Sequence, residues 1–328
     1  MLDLDDPLWS KLDDASYREF DIPKLLSLLA KSWDADQADA LFSGCLCSDE
    51  TCYSATYAAI PHLLKIAEPQ ANRHQRRDIA VFLGFVVRGA FSDRHQMAKG
   101  RQARLERLPE TLEEWNARAD RYRSRIAALE DPNHSLSHFE RTIVLPYYKQ
   151  GLKLDPFTEG DLENIQLIKR DFFEAFSKIR SLSEQAFLEN SSEGELGLYF
   201  LSGIAAVDGL YDLANALKQG TEGDFRCSSC DWGYEFHLFE DRVAIYAEDE
   251  RHRCVGRALD DWRDGAPQRA DGFMVPVAAD ERIADRHAAA LVELAGRATV
   301  PLPMLLLRNF LGRFHCRRCG AEGAPAAI

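Results

Sequence analysis

The chain has 328 residues, 46% hydrophobic and 28% charged, with a formal net charge of −13. That length can bury a sizeable core in one large helical assembly or in two to three domains, and the composition lies well away from the disordered range. The negative balance opposes nonspecific attraction to nucleic acid or anionic lipid, so a phosphate-bearing partner would need a local basic exception.

The acidic start, Met1-Leu2-Asp3-Leu4-Asp5-Asp6, has neither the basic region nor the apolar run of a secretory signal. The longest apolar runs, Ile79 to Val87 and Pro301 to Leu307, are too short to cross a bilayer. A cytoplasmic location with no membrane contact is therefore expected, and with it unpaired thiols. Cys45, Cys47 and Cys52 cluster early in the chain. They could attract metal together with His62 or Cys254, but their spacing matches no strong site, and buried or loop thiols are the competing reading.

Apolar residues then recur at steps of three and four, the period of helices that each need a neighbour. One face is Ile60, Leu63, Leu64 and Ala67, a second is Ile79, Phe82, Leu83 and Val86, and a third is Ile165, Ile168, Phe172, Phe176 and Ile179. Between Arg73 and Arg125, arginines and lysines outnumber acids, but Glu106, Glu110, Glu113, Glu114 and Asp120 interleave as on a solvated, ion-paired helix. The stretch from Arg101 to Glu130 reads as one long helix closed by Asp131-Pro132-Asn133. His134 and His138 would share a helix face, yet the preceding Pro132-Asn133 points to a turn or a helix start and an ordinary surface role.

A further helix is expected from Glu195 to Lys218, stopped by Gly220; Gly197, Gly203 and Gly209 within it suggest the close approach of another helix. Asp208, beside its apolar stripe, reads either as a perturbed carboxylate or as a partner in a helix-helix hydrogen bond. After Gly220 the pattern alternates. Phe225 to Phe239 and Arg242 to Tyr246 predict a β-hairpin, Asp260 to Ala279 a loop, and Glu281 to Ala298 and Pro301 to Gly312 a return to helix. The expected division is a helical-repeat-like domain over 1–220 and a C-terminal module over 221–328.

That module contains Cys227-Ser228-Ser229-Cys230 and Cys316-Arg317-Arg318-Cys319, the second followed by Gly320. Two thiolates two residues apart on a tight turn can face one ion, and two such turns complete a tetrahedral shell. Cys227, Cys230, Cys316 and Cys319 are therefore the predicted ligands of one structural zinc ion, in a site split by the 85 residues from 231 to 315. A redox CxxC would normally open a helix beside a βαβ sheet. Disulfides conflict with the expected compartment, and unrelated cysteines are the remaining alternative. Ser54 and Ser202 lack a nucleophile elbow, and no GxxxxGK[ST] or GxGxxG loop occurs, which moves the expectation away from catalysis.

Tyr57-Ala58-Ala59-Ile60-Pro61-His62-Leu63-Leu64-Lys65-Ile66-Ala67 resembles the first helix of a HEAT-type repeat, and Ile204-Ala205-Ala206-Val207-Asp208-Gly209-Leu210 with Leu213-Ala214 a weaker second unit. The chain is thus similar to bacterial HEAT-like helical-repeat proteins of unknown role. The resemblance implies a mainly α, right-handed superhelical array finished by a zinc-held β-hairpin module. It also implies a noncatalytic scaffold that binds another protein, with immunity or antitoxin-like binding as an extension. Nucleic-acid binding through Arg313, His315, Arg317 and Arg318 around the last knuckle, or an enzyme with an unrecognised pocket, are the other expectations.

Overall fold

The computed structural model describes residues 1–16, 20–48, 51–68, 71–91, 108, 111–151, 157–248 and 255–325. These residues are mainly helical, with a small antiparallel sheet in the last third of the chain. The fold divides into two interleaved units, one comprising 1–71 and 93–176, the other 72–92 and 177–328.

In the first unit, a 3₁₀ turn over Pro7–Lys11 is capped by the Asp6 carboxylate, which accepts from the Leu8 N–H at 2.8 Å. Helix α1 (Ile22–Lys31) starts on an Asp21 cap and buries Ile22, Leu26 and Leu29. A short α2 (Ala35–Asp39) runs into a π-helical stretch, Ala40–Leu46, and then into the two-residue strands β1 (Cys47–Ser48) and β2 (Thr51–Cys52). Helix α3 (Ser54–Ile66) contains Pro61 and is buried on nearly every side from Ser54 to Leu63, more than its predicted single stripe requires.

The chain next enters α4 (Arg73–Phe91), which belongs to the second unit, and returns to the first for α5 (Leu112–Leu129), α6 (Leu145–Gly151) and α7 (Glu159–Glu174). Thr111 and Glu114 form a capping box at the start of α5 and Thr158 and Asp161 one at the start of α7. Tyr57 of α3 meets Phe172 of α7 edge to face at 5.1 Å. The predicted helix from Arg101 shows only as α5. Residues 101–107 lie outside the described residues, while the closing turn after Glu130 stands where the sequence put it.

The second unit adds α8 (Phe176–Glu189), α9 (Gly194–Val207) and α10 (Tyr211–Gln219). The helix expected over Glu195 to Lys218 is in fact two. At the break the Leu210 N–H donates to Ala205 O and the Gly209 N–H to Ala206 O, with Gly209 at φ 84°, a glycine-dependent helix stop. Gly203 and Gly84 fulfil the close-approach expectation: a Cβ on Gly203 would lie 2.9 Å from the Gly84 Cα, so α9 and α4 cross backbone to backbone. Gly220, at φ 77°, ends α10 as predicted.

From there β3 (Glu222–Arg226), β4 (Gly233–Phe239) and β5 (Arg242–Ala247) run antiparallel. Helix α11 (Val255–Asp264) precedes β6 (Gly272–Phe273), which pairs with β5 and completes a four-stranded sheet in the order β3-β4-β5-β6. The predicted hairpin is thus the centre of a larger sheet, and the segment expected to be loop from Asp260 to Ala279 holds the end of a helix and an edge strand. Helices α12 (Arg286–Ala295) and α13 (Leu302–Leu311) lead to a small hairpin, β7 (Phe314–His315) with β8 (Glu322–Gly323).

Candidate metal centre

Each CxxC turn sits at the tip of a hairpin. Cys227 follows the last pair of the β3–β4 ladder, Arg226 with Gly233, and Cys316 follows β7. The two turns match bond for bond. In the first, the Asp231 N–H donates to Cys227 O at 2.8 Å and the Cys227 N–H to Trp232 O at 2.9 Å. In the second, the Gly320 N–H donates to Cys316 O at 2.8 Å and the Cys316 N–H to Ala321 O at 2.9 Å. Each turn needs a left-handed residue after its second cysteine. Gly320 supplies it at φ 72°, and Asp231 does so at φ 57° despite its side chain.

The four sulfurs of Cys227, Cys230, Cys316 and Cys319 lie within 4.8 Å of one another, so they can hold a metal ion. Across the two turns, Cys227 Sγ is 3.9 Å from Cys319 Sγ, and Cys230 Sγ is 3.7 Å from Cys316 Sγ. A disulfide needs about 2.05 Å. A tetrahedron with metal–sulfur bonds of about 2.3 Å has edges of roughly 3.8 Å, which both distances match. Among the described residues this is the one cluster of three or more potential ligands, and all four come from the predicted set.

Charge explains why the cluster suits a cation. Burial opposes a thiolate at Cys316, but the Tyr234 hydroxyl and the Arg318 and Cys319 N–H groups outweigh it and pull the thiol down to about 6. Cys230 is instead pushed up to about 12, first by burial and then by its neighbouring thiols. Were all four ionised at this spacing, their mutual repulsion would call for a positive ion among them.

Tyr234 is the residue that spacing could not reveal. Its hydroxyl donates to Cys316 Sγ at 3.2 Å and accepts from the Arg317 N–H at 3.0 Å, joining positions more than 80 apart in sequence. Its ring packs with Phe225 at 5.4 Å and with Phe314 at 5.4 Å, while Phe236 meets Phe310 at 5.1 Å. The two hairpins therefore share an aromatic floor beneath the sulfurs. Arg318 stacks on Trp232 at 3.8 Å, and Arg317 pairs with Asp271 beside β6.

The other candidates disperse. His62 Nε2 lies 2.9 Å from Leu2 O, a hydrogen bond that engages that ring nitrogen, and Cys254 lies outside the described residues. His134 precedes the helix turn that Ser137 and Glu140 cap, so it shares no helix face with His138. Asp208 accepts from Arg180 at 3.0 Å and lies 3.4 Å from His287 Nδ1, so it serves as a contact between helices. The Ser54 hydroxyl accepts from the Asp13 N–H, and that of Ser202 donates to Ala214 O, so each is engaged by backbone.

What fold and site define is a class: a mainly helical chain whose last third carries a four-cysteine cluster able to hold a metal ion. No protein-family model, curated protein or solved structure matches the chain. No helix among the described residues is long and apolar enough to cross a membrane.

Proposed function

We propose that the chain is a noncatalytic protein-interaction scaffold whose C-terminal part is fastened by one structural zinc ion. The observation that carries the metal half is the pair of sulfur–sulfur distances, 3.7 and 3.9 Å, that match a tetrahedral four-thiolate shell. Such a shell leaves no position for water, so the ion braces rather than catalyses. Zinc fits better than calcium or magnesium, which require oxygen ligands.

The binding half rests on surface chemistry. Helix α11 buries Ala258 and Asp261 yet turns Leu259 and Trp262 outward, with Trp262 68% exposed. An exposed tryptophan one turn from a leucine is anchor chemistry for a protein partner, and the net charge of −13 favours a basic one. We read the stacking of α9 with α4, α10, α12 and α13 as a HEAT-like array. On that reading an immunity or antitoxin-like role is an extension by analogy.

The nucleic-acid reading draws on Arg318 over Trp232, but Arg226, Arg313 and Arg317 pair with Asp231, Glu322 and Asp271. Elemental analysis of the purified, unchelated protein tests the metal: one equivalent of zinc is expected, and less than about half an equivalent overturns the site. Capture of host proteins by the wild type and by the L259A/W262A double variant tests the surface. A partner retained equally by both would reject α11 as the anchor. Capture that falls steeply with salt, and that nuclease treatment abolishes, would favour nucleic acid.

A further inference from the structure

A second thiol site lies in the first unit, far along the chain from the four-cysteine cluster. Cys47 of β1 and Cys52 of β2 are direct partners in register, with Ser48 opposite Thr51 as the inner pair. Leu46 O accepts from the Tyr53 N–H at 3.3 Å, which makes the pair between them, Cys47 and Cys52, one of the non-hydrogen-bonded positions where side chains approach most closely. The two sulfurs are 3.1 Å apart, inside ordinary van der Waals separation. Opposed residues at such positions have Cα atoms about 4.5 Å apart, within the range a disulfide spans, so a bond between them needs little backbone movement. Cys45, the third thiol nearby, lies instead beside Asp14 and Ser16.

The surroundings suit a switchable bond. Both cysteines are buried, at 4% and 1% exposure, and so are shielded in the resting state. A ladder of two-residue strands opens locally at small cost, and such an opening would give an oxidant a route to them. The π-helical stretch Ala40–Leu46 ends at Cys47, and the Thr56 hydroxyl, in the first turn of α3, donates to Leu46 O. A bond between β1 and β2 would therefore fix the entry to the most buried helix of this unit.

We propose that Cys47 and Cys52 form a reversible disulfide, a redox modification site independent of the metal centre. One cysteine loses its proton and attacks a sulfur of a small-molecule disulfide such as oxidised glutathione, expelling one glutathione thiolate. The second cysteine loses its proton and attacks the mixed disulfide, expelling the other. Two protein S–H bonds are replaced by one S–S bond, two electrons pass to oxidised glutathione, and two glutathione thiols leave with the two protons.

The full, metal-replete chain is incubated with oxidised or with reduced glutathione, alkylated under denaturing conditions, and cut with trypsin, which leaves Cys45, Cys47 and Cys52 in one peptide over 32–65. After oxidation the wild-type peptide should be lighter by two hydrogens and carry a single alkyl group, on Cys45; dithiothreitol should restore three. The C45S variant should keep the linkage, and C47S and C52S should each lose it. Three alkyl groups in the oxidised wild type, stable glutathione adducts without a linkage, or a linkage that C45S abolishes would each overturn the proposal. Should C47S or C52S fail to fold, the wild type and C45S still decide the outcome.

Discussion

Asp261 is fully buried and keeps its charge through its neighbours. The Tyr246 hydroxyl donates to it at 2.9 Å, the Arg269 N–H at 2.7 Å and the Arg269 guanidinium at 3.0 Å. Burial alone would raise its pKa, but these donors outweigh burial and hold the carboxyl below the usual range. A depressed folded-state value means the stabilisation is present above the unfolded pKa, about 3.9, and is lost as pH falls through the folded one. Asp261→Asn should cost about 2 kcal/mol at neutral pH and flatten the acid limb of urea-unfolding stability; an unchanged acid limb would reject the assignment. His62 acts in a higher window. Burial holds its pKa below the ordinary value, so as pH falls through about 6.5 the first unit should lose stability, and His62→Gln should remove that dependence. The two knuckles offer a mirrored pair of tests. Asp231→Gly relieves a left-handed residue and should add about 1 kcal/mol, whereas Gly320→Ala should remove a similar amount, both read from thermal unfolding. The four clustered cysteines were legible because a CxxC turn is a local pattern. Tyr234 was not, because its bond to Cys316 exists only after folding has joined β4 to the second turn.

Helix contacts place the next constraint at Gly84 and Gly203. A methyl group on either would meet backbone at less than 3.0 Å, and backbone cannot rotate aside as a side chain does. Gly203→Ala should therefore separate α4 from α9 and cost about 1–3 kcal/mol, measured by denaturant unfolding. Gly44→Ala, where nothing lies within 4 Å, should change stability by less than about 0.5 kcal/mol or raise it slightly. The glycines of the 195–218 segment show how far sequence reaches at this scale. Their presence pointed to helix contact, which holds for Gly203, and for Gly197 against Pro303 and Phe187, but Gly209 is a stop. Only backbone hydrogen bonding separates the two uses. Strand β3 was hidden for another reason: Glu222, Gly223 and Asp224 have weak strand preference and pair because β4 offers them an edge. In the 260–279 segment, Asp, Gly and Pro suggested loop, while Asp261 and Asp271 are anchors, the latter accepting from the Ala247 N–H and from Arg257.

For the whole chain, the metal centre should couple the sheet to the segment after α13. A strong chelator should lower the melting temperature and expose bonds beyond Leu311 to protease, and Cys316→Ser should do the same without chelator. Restoring zinc to about 100 times its dissociation constant should return about 2.7 kcal/mol to the wild type and much less to the variant. An unchanged melting curve in both would mean that the aromatic floor alone holds the hairpins. The helical character of the chain was legible because helix periodicity repeats within a few turns. The division into interleaved units was not, since α4 joins helices that come about a hundred residues later. The centre also has a schedule. Cys316 is made 86 residues after Cys230, which at about 5–20 residues per second is a gap of roughly 4–17 s. During that interval the first turn has only two sulfurs to offer, half of a four-thiolate shell, while α11, α12 and α13 are still being made. An ion held by all four sulfurs could therefore be captured only after the second turn has been made.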